Sequence, residues 1–143
     1  MELEDLRIYR LALDFGEKIW ILVIKWNNLA IDTVGKQLIK SSDSIAANIS
    51  EGFGRYHFKE TRNFCYIARG SLFETKTWLT KAYNRKLITS ELYNELIKEL
   101  KDLGIKLNNY ISTVSKNLPD QVKEDEVRYC LNDDDFLKIF NEL

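Results

Sequence analysis

The densest group of chemically capable side chains lies in SSDSIAANISEGFG, residues 41–54, followed by Arg55. Ser41, Ser42 and Ser44 carry hydroxyls that could act as nucleophiles. Such use of a serine needs a base within hydrogen-bond reach, commonly a histidine oriented by a carboxylate. The sequence has one histidine, His57, and no spacing ties it to a serine and an acid in that way. A metal site in a helical bundle uses Glu-x-x-His pairs on facing helices, and the sequence contains none. It also lacks a P-loop, a G-x-G-x-x-G and an H-E-x-x-H. Gly52-Phe53-Gly54 is too short for a phosphate loop. It follows a helix, where the dipole has the wrong sign for an anion. The expectation is a protein that is not an enzyme, with no catalytic residue, metal ligand or cofactor.

The cluster makes sense once it is wound into a helix at about 100° per residue. Leu38, Ser42, Ile45 and Ile49 then share one inner sector. Gln37, Ser41, Ser44 and Asn48 flank that sector, with Glu51 further round, while Lys36, Lys40 and Asp43 point away. Ser71 and Glu74, further along the chain, form a similar edge beside Ile67 and Trp78. The favoured reading joins Gln37, Ser44, Asn48, Glu51, Ser71 and Glu74 in a polar network between two helices. Buried polar groups without partners cost about 1–3 kcal/mol each. The other reading makes the same residues a ligand site.

Four segments must position these residues. The first runs from about Asp5 to Asn27, with one apolar stripe at Leu6, Tyr9, Leu13, Gly16, Trp20 and Val23. Ile8, Ala12, Phe15, Ile19 and Leu22 make a second stripe, so this helix is expected to be covered on more than one side. The second segment runs from about Thr33 to Phe53, with Asp32 as its N-cap. Gly52 or Gly54 is expected to end it in the left-handed conformation. The third, from about Lys59 to Arg85, turns Thr61, Phe64, Cys65, Ala68, Leu72, Thr75, Leu79 and Ala82 inward. The fourth starts at a Thr89 or Ser90 cap and carries Leu92, Leu96, Leu100, Leu103, Leu107, Tyr110 and Val114 to about Lys116. The connections NNLAID, RYHF and KLIT are short enough to force antiparallel neighbours. The predicted fold is all-α: an antiparallel up-down-up-down four-helix bundle over residues 1–116. Residues 117–143 form an acidic tail, expected to be mobile, with a short amphipathic helix at DFLKIFNEL.

Composition agrees. The 143 residues suit one domain, and Pro 1 and Gly 6 leave few helix breakers. No apolar run reaches the roughly 18–20 residues that span a bilayer. The first residues are acidic where a signal peptide would be basic. A cytoplasmic protein with no membrane partner is expected. Cys65 and Cys130 have no disulfide-rich context and are read as reduced thiols.

The net charge of −1 conceals an asymmetry. Residues 1–116 hold 18 Lys+Arg against 14 Asp+Glu, a balance of +4, whereas residues 117–143 hold 3 against 8, a balance of −5. The central stretch 33–88 holds 10 against 4 and is the basic part of the chain. Lys36, Lys40, Arg55, Lys59, Arg62, Arg69 and Lys76 are therefore the candidate nucleic-acid contacts. On the third segment Arg62, Tyr66, Arg69, Phe73 and Lys76 share one outward face. Aromatics interleaved with cations can stack bases and neutralise phosphates. Covered apolar faces are also subunit contacts, and that is the favoured reading for Tyr66 and Phe73.

QLIKSSDSIAANISEGFGR and the downstream IARGSLFETKT resemble the four-helix-bundle proteins encoded in 23S rRNA intervening sequences. The matching positions are Gln37, Lys40, Ser44, Ile45, Ala47, Asn48, Ile49, Glu51, Gly52, Gly54 and Arg55. Ile67, Ala68, Gly70, Ser71, Glu74 and Thr77 follow in the second block. DLRIYRLAL is similar to that family's opening helix. The accessory proteins of diversity-generating retroelements look like relatives. His57 stands where the family usually has a capping Ser, and Lys76 where a Glu is common. The resemblance implies a ring-like homo-oligomer, commonly a pentamer, and association with structured RNA or DNA without catalysis. The alternative is an adaptor that scaffolds a nucleic-acid enzyme such as a reverse transcriptase and does not touch RNA. In that scheme the acidic tail could occupy the basic face until a partner displaces it.

Overall fold

The computed structural model describes residues 1–118 and 131–143, and every regular element among them is helical. Five helices carry the fold: α1 (Arg7–Val23), α2 (Lys36–Phe53), α3 (Phe58–Asn84), α4 (Ser90–Ser115) and α5 (Asp133–Glu142). The all-α expectation holds. α2 packs most extensively on α3, α3 also packs on α4, and α1 leans on α2. The α1–α4 seam is thinner. It is bridged by the Lys18–Glu99 ion pair at 2.7 Å, beside a cleft of about 530 Å³.

Each helix buries the stripe that its periodicity marks. On α1 this is the second stripe: Ile8, Ala12, Phe15 and Ile19 are buried, whereas Leu13 and Trp20 of the first stripe are 41% and 50% exposed. On α2, Leu38, Ser42, Ile45 and Ile49 are all fully buried. α4 starts where the Thr89 hydroxyl accepts the Leu92 N–H at 3.2 Å, which satisfies a donor with no partner inside the helix.

Three local expectations need correction. Asp32 does not cap the second helix. Asn27 does, accepting the Ala30 N–H at 2.9 Å, and the chain then runs through one α turn (Asn28–Ala30) and a π-helical stretch (Ile31–Gly35) into α2. Most of NNLAID is therefore helix, because an Asn cap precedes residues that wind readily. Neither Gly52 nor Gly54 is left-handed. Gly54 caps α2 at φ −75, and Gly52 lies buried in the last turn. A Cβ on Gly52 would meet the Thr61 carbonyl at 2.9 Å, so the glycine permits close approach of α3 and does not reverse the chain. The left-handed residue is Lys86, at φ 62. It ends α3 with the paired bonds of a Schellman motif, Lys86 N–H to Tyr83 O at 3.0 Å and Leu87 N–H to Ala82 O at 2.9 Å.

The acidic end holds a docked helix. Asn132 caps α5 by accepting from the Asp135 N–H at 2.7 Å, and Asp133, Asp134 and Asp135 occupy the first turn, where acids suit the dipole. Phe136 and Phe140, one turn apart, are 0% and 1% exposed, so the end of the chain packs on the body. Residues 119–130 of the expected tail, Cys130 among them, lie outside the described residues.

Candidate nucleic-acid interface

The seven predicted cations do not converge on one patch. Lys36 and Lys40 are exposed at the start of α2, and Arg55 and Lys59 are exposed around the turn into α3. The 18 residues of α2 separate these pairs by roughly 27 Å at about 1.5 Å per residue. Arg55 pairs with Glu51 one turn back and lies over the Phe64 ring, 4.8 Å from its centroid. Those two contacts hold the guanidinium at the end of the helix pair.

Arg62, Arg69 and Lys76 lie on a different face, and two of the three are buried. Arg62 is 6% exposed, with its guanidinium over the Tyr66 ring. Arg69 also stacks on Tyr66, 5.0 Å from the centroid, and donates to Asn108 Oδ1 at 3.0 Å. Lys76 is 7% exposed; it donates to the Phe140 carbonyl and lies over that ring at 4.5 Å. Burial, and then the charge of Lys101, pull its ammonium below the ordinary lysine range. Phe73 faces Phe136 and Phe140 of α5, at 5.6 and 6.4 Å between ring centres. Tyr66 is half-buried beside the two arginines.

The sequence reading missed what holds α5 on this face. Asn108 accepts from Arg69 through its oxygen and donates through Nδ2 to the Leu131 carbonyl at 2.7 Å. One buried amide thus ties α3 and α4 to the residue that leads into α5. Gly104 gives room: a Cβ there would overlap the Phe136 ring. Two signals were available. Phe136 and Phe140 have the spacing of two anchors on one helix face, and Gly104 interrupts a leucine-rich helix beside its apolar stripe.

Asn48, Glu51 and Glu74 find their partners one turn away on their own segments. Asn48 donates to the Ser44 carbonyl at 2.8 Å, Glu51 pairs with Arg55, and Glu74 accepts from Trp78 Nε1 at 3.2 Å. Gln37 is exposed, and Ser44 and Ser71 are half-buried. The hydroxyl contact that crosses from α2 to α3 is Ser41 with Thr75, 3.1 Å apart and both buried. That contact and the close approach at Gly52 set the register. They bring Asn48 level with Ile67, and Ser44 level with Gly70 and Ser71. Ile67 is 52% exposed, and a Cβ on Gly70 would meet nothing within 4 Å. The motif residues thus line an open edge of the α2–α3 seam.

Asp43, on the outer side of α2, faces α1. Its carboxylate would lie 2.8 Å from a Cβ on Gly16, and burial, with a smaller contribution from Glu17, pushes its pKa up. Cys65 is fully buried and its thiol is pushed up to about 12, which makes it a packing residue and not a nucleophile. Among the described residues no cluster of three or more His, Cys, Asp or Glu could hold a metal ion, and no helix is long and apolar enough to cross a membrane.

Residues 4–109 match the profile of the 23S rRNA-intervening sequence proteins. The chain belongs to that family. The match covers the open motif edge and stops within α4, so α5 lies outside the part that this intervening-sequence protein shares with its family. No curated protein matches the sequence significantly.

Proposed function

We propose that this chain is a non-enzymatic, homo-oligomeric RNA-binding protein of the intervening-sequence type. Its four long helices run up-down-up-down, and its copies close into a ring, a pentamer in this reading. The observation that carries the reading is a pair of exposed cation groups, Lys36 with Lys40 and Arg55 with Lys59, at the two ends of α2. Repeated around a ring, they make two bands of positive charge that a folded RNA can bridge. Assembly draws on the exposed apolar residues at the end of α1: Trp20, Ile21 and Ile24 at 50%, 54% and 50%, followed by Leu29 at 76%. An exposed patch of that kind marks an interaction surface. The motif edge at Asn48, Ile67, Gly70 and Ser71 offers a second contact between copies.

Filter binding to a structured rRNA fragment tests the reading. Affinity should fall steeply between about 50 and 200 mM salt, as expected when several phosphates are neutralised. Reversing the charge at Lys36, Lys40, Arg55 and Lys59 together should abolish binding without changing assembly mass. Absence of binding to any nucleic acid at micromolar protein would overturn it. The same apolar patch supports a second reading, an adaptor that docks a nucleic-acid enzyme. That reading gains if a protein partner binds at Trp20 and RNA does not bind at all.

A further inference from the structure

The face beneath α5 has a chemistry that docking alone does not require. Arg62, Tyr66, Arg69, Phe73 and Lys76 follow one another along α3 at alternating steps of four and three residues. That spacing keeps them on one stripe of the helix. Cation, aromatic, cation, aromatic, cation is the alternation with which proteins hold single strands, the rings stacking on bases and the cations meeting phosphates.

α5 reproduces the features of such a strand. Residues 131–143 contain four acids and one lysine. Its rings pack at a tilt against Phe73, in the place that bases would take, and the Phe140 carbonyl takes the Lys76 ammonium as a phosphate oxygen would. The imitation is incomplete. The carbonyl end of a helix offers about half a negative charge, whereas a phosphodiester offers a whole one. Lys76 also shares this place with the like charge of Lys101. A polyanion would therefore satisfy the pair better than α5 does. α5 lies beyond the family match, on a body that the match nearly spans.

We propose that the α3–α4 face bearing Tyr66, Arg69, Phe73 and Lys76 is a second RNA site, selective for single strands, and that α5 is its built-in competitor. The proposal rests on the RNA-binding reading above and adds to it a covered site and the device that covers it. The intact chain then binds structured RNA through its exposed cations and single strands only weakly. Release of α5 exposes the stripe.

The test is fluorescence anisotropy of a labelled 20-nucleotide oligouridylate at low salt, with the full-length chain. Two variants undock α5 from opposite walls. Gly104→Ala places a methyl where the Phe136 ring lies and adds a better helix former to α4. Phe136→Ser with Phe140→Ser removes both anchors and leaves the charge unchanged. Each should bind the oligonucleotide at least 10-fold tighter than the wild type. Adding Phe73→Ala or Lys76→Gln should cancel the gain, and a free peptide of residues 131–143 should displace the oligonucleotide. Circular dichroism confirms the folded body, and should the double variant unfold, Gly104→Ala decides alone. Wild-type affinity in a folded Gly104→Ala, alongside intact binding of structured rRNA, overturns the covered site and leaves the RNA-binding reading standing. Failure of every form, wild type included, to bind any nucleic acid overturns both.

Discussion

The two edges of α3 solve the same problem in opposite ways. On the α2 side, small residues and Gly52 bring the helices together, and the polar motif groups bond to their own backbones or to neighbours one turn away. That edge needs nothing from a distant part of the chain, and it stays open. On the α4 side, large aromatics and cations stand off the surface and depend on a helix more than 50 residues further on to cover them. Local satisfaction leaves a surface free to meet another molecule. Distant satisfaction makes a surface conditional on its cover.

The sharpest way to break this comparison is to cut one large buried side chain from each side. Leu72, fully buried beside α2, should cost about 2–5 kcal/mol as Leu72→Ala and lower the midpoint of the whole unfolding transition. Phe136→Ala removes more volume, yet its effect should be confined to α5. Hydrogen exchange should accelerate over 131–143 while the midpoint of the body barely moves. A global loss from Phe136→Ala as large as that from Leu72→Ala would show that α5 is core and not cover.

The glycines give a smaller and cleaner contrast. Gly52→Ala must displace the Thr61 backbone, at a cost of about 1–3 kcal/mol in a chemical-denaturation curve. Gly70→Ala enters open space in mid-helix and should stabilise the subunit by up to about 1 kcal/mol. If the motif edge is a contact between copies, Gly70→Ala should nevertheless shift assembly mass downward. A stabilised subunit with unchanged mass would place the contact elsewhere.

Asp43 tests the other neighbour of α2, the helix α1. An acid whose pKa is raised by folding binds its proton more readily in the folded chain. Its ionised form therefore costs stability at neutral pH, and that cost fades as pH falls through the raised value toward about 4. Asp43→Asn should raise the melting temperature at pH 7, and the gain over wild type should vanish in mildly acidic buffer. The smallest effect belongs to Lys86, whose left-handed backbone favours glycine. Lys86→Gly should add about 1 kcal/mol or less, read as a small rise in denaturation midpoint.

The same contrast explains what the sequence revealed. Stripes such as Leu38, Ser42, Ile45 and Ile49 were legible because helical periodicity is a local property and burial follows it. The Thr89 cap was legible for the same reason. The Asn27 cap and the π-helical stretch were not, because Asp32 offered an equally good local signal and only packing at Gly35, against Val23, decides between them. The motif residues were read as bonding across the seam, whereas the bonds of Asn48, Glu51 and Glu74 run to groups one turn away on their own segments. Backbone carbonyls one turn away were nearer acceptors than side chains across the seam. Lys76 and Arg69 looked like surface cations, because nothing local announces that a helix from the chain end will cover them. Gly104 and Asn108 gain meaning only once α5 is in place.

The most direct test of the account is the mass of the particle in solution, measured by native mass spectrometry with and without a structured rRNA fragment. A closed ring of identical copies should gain the mass of RNA at low salt and lose it as salt rises. A lone subunit whose mass RNA does not change would contradict it.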